Sequence, residues 1–308
     1  MILITVFALL FSISVLIDLP AKLTEHSVTL HHICLLSLPR TLENLRSLEA
    51  LVCGKNMQDL ELKHLLVQSS LIHIFVVSGS HFIFLRKILA HLPILRMCPL
   101  LILSLYAMIT LCQPPSLRAL LFLSLVGLSE RRKLFLSPSV LVFLSSVICV
   151  AIFPHWLSSR SLLMSMMAAL VIAVTSEVRE KKNEKEAGNL RSLFFTQSIL
   201  YLVMGFCLWG FSNLHPLSIL INILLGPLIG MLLFPLGFLV VFIPPLAFLF
   251  DFAMNSLIWI LQKNAEVLGE TASVSPLEFY WQWVLFFTLL IASYHYLIHR
   301  KRQKARHV

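Results

Sequence analysis

The chain alternates long apolar runs with short polar connectors. A full membrane crossing by an α-helix needs about 20 residues, so runs 97–111 and 116–129 are short enough to be tilted or re-entrant. The pattern predicts an all-α, polytopic integral membrane protein with about ten transmembrane or re-entrant helices. The ten runs are roughly 1–17, 67–85, 97–111, 116–129, 134–153, 157–176, 193–212, 217–243, 246–262 and 278–298.

The composition agrees with this pattern. Hydrophobic residues make up 58% of the 308 and charged residues only 13%, with a mean hydropathy of +0.89. A soluble domain does not need that much apolar surface, whereas a bilayer does. Polar groups inside hydrocarbon are costly, so those that remain are the first candidates for function.

The basic residues are segregated along the chain, and the net charge is +9. Cytoplasmic loops collect Lys and Arg, and ten spans place all four basic stretches on one side of the membrane. Both termini are then cytoplasmic, and 18–66 and 263–277 face outward. A DNA-binding patch is also basic, but these stretches lack interleaved aromatics. The four stretches are Arg86, Lys87 and Arg96; Arg131, Arg132 and Lys133; Arg179, Lys181, Lys182, Lys185 and Arg191; and Arg300, Lys301, Arg302, Lys304 and Arg306.

Four segments organise the chain. Residues 1–17 are apolar or hydroxyl-bearing without a basic start or cleavage site, which favours an uncleaved membrane anchor helix over a signal peptide. Residues 18–66 form a short outward-facing loop with an amphipathic helical segment between Leu38 and Leu66. Residues 67–298 form the main membrane domain, in which 263–277 resembles an interfacial amphipathic helix. Residues 299–308 form a basic cytoplasmic tail.

The six cysteines contain no CxxC pair and no metal-like spacing with histidine, and we expect neither a metal nor a cofactor. Cys98, Cys112, Cys149 and Cys207 lie in or beside apolar runs as small hydrophobic residues. Cys34 and Cys53 share the long outer loop and are a candidate disulfide if that loop faces an oxidising compartment.

The densest polar cluster in an apolar run is HIFVVSGSH, residues 73–81. His73 and His81 are a little over two helical turns apart, and Ser78, Gly79 and Ser80 lie between them. The cluster is compatible with a polar pore lining, with an intramembrane hydrolase that uses Ser78 or Ser80 as nucleophile, or with hydrogen bonds between packed helices. A metal site is disfavoured because no carboxylate is nearby.

Three further polar features stand out. Arg118 follows the rigid Pro114–Pro115 turn and either snorkels to the interface or faces the bundle interior, where it binds an anion such as phosphate. Asp251 needs a partner, for which Arg118 and Arg160 are candidates by elimination. The run 217–243 contains Asn222, Gly226 and Pro227 and is either a broken helix beside a path or an ordinary kinked one.

Several segments together resemble the membrane domain of the ComEC-type competence proteins. Residues 73–81 resemble the family segment H-L-x-A-[IV]-S-G-x-H, and 46–54 (RSLEALVCG) resemble the segment before it. Tyr106 with 115–119 (PSLRA) resembles Y-x-x-x-x-G-x-x-P-S-x-x-R-A, with one residue fewer between Ser and Arg. Pro154 with 163–165 resembles a proline followed by Q-L-S-F, and 216–227 (PLSILINILLGP) resembles P-x-x-x-x-x-N-x-x-x-x-P.

The chain departs from that family pattern in places. Ser70 stands where the family prefers Gly, Ser80 replaces an apolar residue, Cys112–Gln113 replaces a Gly, and Met164 replaces a Leu. Residues 18–66 leave no room for the family's OB-like module, and the β-lactamase-like domain with its HxHxDH motif is absent. We therefore expect a short, divergent channel core without nuclease activity.

The resemblance implies an inner-membrane channel that translocates single-stranded DNA into the cytoplasm during natural transformation, and not an enzyme. Membrane lipids surround it, a periplasmic DNA receptor and a cytosolic helicase-type motor act with it, and a separate nuclease is a further candidate partner. The motor is external because the sequence has no GxxxxGK[ST] motif. The alternatives are a small-molecule or ion transporter and an intramembrane serine hydrolase. The expected path residues are His73, Ser78, Gly79, Ser80, His81, Arg118, Asn222, Gly226 and Pro227.

The charge segregation predicts the topology. Reporter fusions at Lys182 and Val308 should report the cytoplasm, and a fusion near Glu43 should report the periplasm, because Lys- and Arg-rich connectors stay inside. A periplasmic signal from Val308 would overturn the count of ten spans.

Overall fold

The computed structural model describes residues 19–69, 71–75, 78–91, 98–180, 190–207, 217–268 and 279–305. This part of the chain is helical, with no strand in it. The predicted anchor at 1–17 lies outside the described residues. The all-α prediction is confirmed.

Fourteen α-helices form the described part of the chain, with short 3₁₀ or π segments between some of them. In chain order they are α1 (Leu19–Ser37), α2 (Leu45–Leu48), α3 (Leu60–Gln68), α4 (Ile72–Phe75), α5 (Gly79–His91), α6 (Pro99–Ile109), α7 (Pro114–Arg131), α8 (Pro138–Ile152), α9 (Arg160–Glu180), α10 (Leu190–Cys207), α11 (Leu217–Leu228), α12 (Phe234–Phe242), α13 (Ala247–Leu268) and α14 (Phe279–Ala305).

Proline chemistry sets several helix starts. Pro99, Pro114 and Pro138 each occupy the first turn of α6, α7 and α8. Proline suits this position because its fixed φ is already helical and its missing N–H would have no helical acceptor there. Asp59 starts α3 differently, since its carboxylate accepts the backbone N–H of Leu62 at 3.1 Å.

Three helical stretches within the described residues are long and apolar enough to cross a membrane: Arg160–Glu177, Ile219–Phe242 and Pro244–Val267. Four shorter apolar helices accompany them, at Pro99–Ile109, Pro138–Ile152, Phe194–Gly205 and Tyr280–Ala292. The chain is therefore a helical membrane protein. The count of ten spans is not confirmed by these lengths.

The run 67–85 is not one helix, contrary to expectation. Helix α3 ends at Gln68, α4 covers only Ile72–Phe75, and α5 begins at Gly79 and continues to His91. Serine and glycine favour helix ends over helix interiors, and Ser78–Gly79–Ser80 interrupts the apolar run at this point. His73 and His81 therefore belong to different helices.

Other helix boundaries also differ from the prediction. Residues 19–37 form α1, where only a loop was expected. Helix α13 continues unbroken through Gln262 to Leu268, so the interfacial helix predicted at 263–277 does not begin at 263. Helix α14 runs past residue 298 to Ala305, so most of the predicted tail is helical. Helix α9 similarly extends to Glu180, into the predicted cytoplasmic loop.

The Gly- and Pro-containing run 217–243 is helical from Leu217 to Phe242. Pro227 lies inside α11, and a π-helical segment, Ile229–Leu233, joins α11 to α12 without an unwound residue. Proline removes one helical hydrogen bond, and π-helical turns are rare and occur mostly as single-turn segments inside α-helices. The structure thus favours a continuous helix with a π segment over a broken one.

The interior contains two apolar clusters. The first joins α2–α6 with the helices from α11 to α13, and the second joins α8–α10 with α14. Helix α7 belongs to both, since Ala119 and Leu123 lie in the first cluster and Leu117 in the second. Large side chains remain exposed on the outside, including Phe252 at 72% and Trp259 at 61%, as expected for a surface that faces lipid.

A disulfide and two hydrogen bonds connect α1 to the π-helix Glu49–Cys53 and to the end of α6. Cys34 on α1 and Cys53 form a disulfide with a Cα–Cα distance of 6.0 Å. His31 Nδ1 lies 3.1 Å from the carbonyl of Cys53 and 3.0 Å from that of Ile109, so it carries the proton that it donates to them. Gly54, at φ +76, ends the adjacent π-helix Glu49–Cys53 in a conformation that favours glycine.

The described partners of Asp251 do not include an arginine. Its carboxylate accepts the backbone N–H groups of Glu43 at 3.2 Å and Asn44 at 2.9 Å, and also the Asn44 side-chain amide at 3.1 Å. The suggested pairings with Arg118 and Arg160 are therefore wrong. Backbone N–H groups satisfy the Asp251 carboxylate, and these hydrogen bonds attach the turn that precedes α2 to α13.

The disulfide is testable in native protein. Because Cys34 and Cys53 are bonded in the structure, non-reducing mass spectrometry of protein taken from the native membrane should find their peptides linked. Alkylation of both thiols before any reduction would contradict it. Cys98, a free and exposed cysteine, is the internal control for reagent access.

Gly237 predicts a stability effect. A Cβ at this position would lie 2.9 Å from Val52 Cγ2 and 3.0 Å from Leu48 Cδ1, both buried side chains of the segment 45–53. Gly237→Ala should therefore destabilise the protein by about 1–3 kcal/mol, measured by unfolding in detergent micelles. Gly230→Ala is the matched control because nothing lies within 4 Å of its Cβ. Equal stability of the two variants would contradict the packing argument.

Candidate functional site

The Ser78–His81 turn begins α5 in the membrane domain. The backbone N–H of Ser78 donates to His81 Nδ1 at 3.1 Å, and the side chain of His81 is fully buried. Since Nδ1 accepts a hydrogen bond, the ring carries its proton on Nε2 and is neutral. The histidine thus orders the start of α5. The side chain of His73, on α4, lies outside the described residues.

The same turn does not assemble a serine–histidine pair. Ser78 Oγ and Ser80 Oγ lie 2.6 Å from each other, and His81 Nδ1 is already occupied by the backbone of Ser78. A hydrolytic nucleophile needs its hydroxyl within hydrogen-bond reach of the base. In this structure neither serine hydroxyl hydrogen-bonds a His81 ring nitrogen.

Gly79 brings α5 close to α7. A Cβ built on Gly79 would lie 3.0 Å from Arg118 Nη2 and 3.5 Å from the Cβ of Ala119. The first distance is tighter than ordinary van der Waals contact, so glycine gives the guanidinium its room at the start of α5. The two residues that the sequence singled out separately are therefore neighbours.

Arg118 points into the protein and not to its surface. The residue is only 6% exposed, and its Nε and Nη2 atoms donate to Ser165 Oγ of α9 at 3.1 and 2.7 Å. No carboxylate pairs with it among the described residues, where the ion pairs are Lys55–Glu49 and Lys263–Glu266. A buried guanidinium thus has a neutral hydroxyl as its partner.

The position of Arg118 follows from the two apolar clusters. Gly79 opens a helix of the first cluster, Ser165 lies on a helix of the second, and α7 belongs to both. Ligand sites in helical proteins often form where packed units meet, because complementary packing is interrupted there. The guanidinium lies at this seam.

An aromatic group adjoins the start of α5. The His81 ring stacks on Phe234 with centroids 4.1 Å apart, and Tyr106 approaches Phe234 at 6.2 Å and Phe82 at 5.2 Å. The Tyr106 hydroxyl and His81 Nε2 are both buried and have no hydrogen-bond partner in the described part of the chain. Such groups are rare in protein interiors and call for an explanation.

Helix α11, which leads into the π segment, packs against α4 at Gly226. A Cβ on Gly226 would lie 3.2 Å from Ile74 Cδ1 of α4. Asn222, one turn earlier, is 6% exposed, and its Oδ1 has no described partner. Phe234, which stacks on His81, begins α12 immediately after the π segment. Ile74 and His81 therefore touch this helix on either side of its π segment, and no described hydrogen bond joins Asn222 or Pro227 to Arg118.

Sequence reasoning missed two members of the site. Ser165 was quoted only as part of a family-like segment, yet it is the partner of Arg118. Phe234 was not singled out, yet it packs on His81. A polar residue in the apolar run 157–176 was a usable signal for the first. A phenylalanine among 22 carries no comparable signal.

A comparison with family models identifies the family of this chain. A family model for competence proteins matches residues 51–301, which is more than half of the chain and includes each site residue described above. The chain belongs to the competence protein family. No curated protein and no solved structure matches it. This competence protein therefore brings Gly79, Arg118 and Ser165, from three separate family-like segments, to one place.

Proposed function

We propose that this competence protein forms an inner-membrane path through which single-stranded DNA enters the cytoplasm during natural transformation. Membership of the family supports a role in DNA uptake. The observation that carries the finer proposal is the buried Arg118 guanidinium between Gly79 and Ser165, without a carboxylate partner in the described structure. A DNA phosphate is the kind of group that such a cation recognises.

In this proposal the chemistry is translocation without bond breaking. Lipid excludes a polyanion, so its path needs polar groups and a cation to replace water around each phosphate. Ser78, Ser80, His81 and Asn222 offer those polar groups, and His73 joins them by sequence. Gly79 and Gly226 keep the helices close without filling the space between them.

The proposal requires other components. A helicase-type motor in the cytosol supplies work, a DNA receptor in the periplasm delivers the strand, and a separate nuclease provides single strands. Both termini lie in the cytoplasm in this arrangement, and lipids cover the exposed apolar surface. The separation of Ser78 and Ser80 hydroxyls from His81 argues against the hydrolase alternative. No specific contact favours the small-molecule transporter.

A pair of variants tests the proposal in cells that have this protein as their only copy. Gly79→Leu should abolish transformation while membrane insertion stays intact, because a larger side chain collides with Arg118 at the start of α5. Ser78→Ala should be mild, since it removes a hydroxyl but little volume. Transformation frequency, divided by protein level in the membrane, is the measurement.

Gly127→Leu is the matched control for Gly79→Leu, because nothing lies within 4 Å of a Cβ at Gly127 on α7. This variant should transform normally. An inactive Ser78→Ala beside a fully active Gly79→Leu would show that the protein is a serine enzyme and not a path for DNA.

A further inference from the structure

We propose that Arg118 and the start of α5 form a discrete phosphate-binding subsite, which takes one phosphodiester of the DNA backbone at a time. The proposal rests on the DNA transport function and specifies how the same site recognises its substrate. The shared chemistry is a phosphodiester monoanion, which a phospholipid headgroup also presents. Its elements are the Arg118 guanidinium and the backbone amides of Gly79 and Ser80, which have no acceptor among the described residues.

The first argument is charge. Arg118 is 6% exposed, and its described hydrogen bonds go only to Ser165 Oγ. Removing a guanidinium from water without an anion is expensive, so buried arginines are normally paired. Glu177 of α9 lies three helical turns beyond Ser165, about 18 Å along the helix, where it accepts the backbone N–H of Ser139 at 2.8 Å. The charge of Arg118 is therefore available to a ligand.

The second argument is the helix start. The first amides of a helix have no helical acceptor and point along its axis, which makes them donors for anions. In α5, a helix of 13 residues, the described bonds of this turn are Ser78 N–H to His81 Nδ1 and His81 N–H to Ser78 O. The amides of Gly79 and Ser80 have no acceptor among the described residues. Donors from two different helices thus meet at Gly79.

The third argument is the role of Ser165. Its hydroxyl accepts from both Nε and Nη2, which fixes the plane of the guanidinium without neutralising it. An aspartate or glutamate at this position would pair with Arg118 and compete with phosphate. Serine is therefore a positioning residue that holds the cation ready for an external anion.

Binding to purified protein tests the subsite apart from transport. A fluorescent oligothymidylate is titrated against full-length protein in phosphatidylcholine nanodiscs at several salt concentrations. Arg118→Gln should weaken binding about tenfold or more, because a charge-assisted contact is lost. The slope of log affinity against log salt should fall by about 0.7, the value for one phosphate of a single strand. Arg118→Lys should restore the slope but only part of the affinity.

Gly79→Ala provides a variant that keeps the charge. Its new methyl group would lie 3.0 Å from Arg118 Nη2, so affinity should fall while the salt slope changes little. Gly127→Ala on the same helix as Arg118 should bind like the wild type. Each variant must match the wild type in thermal unfolding. A variant that does not match is replaced by Ser165→Ala, in which the Arg118 guanidinium keeps its charge but loses the hydroxyl that orients it.

Two controls define failure of the subsite. Arg131→Gln removes an exposed cation from the same helix, and equal losses in Arg131→Gln and Arg118→Gln would overturn a discrete site in favour of general surface charge. A methylphosphonate oligothymidylate, whose backbone is uncharged, should bind wild type and Arg118→Gln equally. Unchanged affinity and slope in Arg118→Gln would also overturn the proposal.

A lipid-binding experiment distinguishes failure of the phosphate subsite from failure of the proposed DNA transport. If the wild-type protein binds no oligonucleotide, the DNA function fails, and native mass spectrometry with phosphatidylglycerol then decides on the site. Retention of this lipid by wild type but not by Arg118→Gln would support a phosphate subsite that serves a lipid headgroup. Equal retention, together with absent DNA binding, would overturn the subsite itself.

Discussion

The burial of one charge that has no carboxylate partner among the described residues is the constraint on which the centre of this protein depends. Arg118 lies at the seam between two apolar clusters, 6% exposed, with a serine hydroxyl as its described partner. A guanidinium tolerates this position only if its neighbours leave it room and orient it. Gly79 supplies the room and Ser165 the orientation, so a single side chain connects the three helices α5, α7 and α9.

The contact between Arg118 and the start of α5 gives a reason for the Ser78–His81 turn to interrupt an apolar run. In an uninterrupted helix across 67–85, every amide opposite Arg118 would donate to a carbonyl of the same helix. None of these amides would then remain as a donor for an anion. The Ser78 N–H to His81 Nδ1 bond instead ends the preceding segment and starts α5 at Gly79. The local preference and the tertiary contact agree here, because serine and glycine favour a helix start at the position where α5 meets the Arg118 guanidinium.

Sequence patterns predicted the all-α class of the protein and singled out several segments of the candidate site, but not the contacts between them. Apolar runs predicted the all-α class, and polarity inside those runs singled out Gly79, His81, Arg118 and Asn222. Partners could not be predicted because a hydrogen bond between distant helices leaves no local pattern: Asp251 looked like a partner for arginine and instead binds the backbone of Glu43 and Asn44. Helix α1 was missed because its polar residues mask any helical period, although Pro20 near its start and Pro39 just after its end mark the boundaries.

The number of cations at the seam also bears on function. A translocation path must bind its substrate well enough to admit it and weakly enough to release it, and several fixed arginines would hold a polyanion in place. In the proposed subsite, one guanidinium with two helix amides would satisfy one phosphate, so each phosphodiester that leaves would be replaced by the next at the same position. His81 Nε2 and the Tyr106 hydroxyl, which have no hydrogen-bond partner in the described part of the chain, are neutral and would bind a phosphate less strongly than the guanidinium does. The arrangement is thus better suited to passing a charged strand than to storing it.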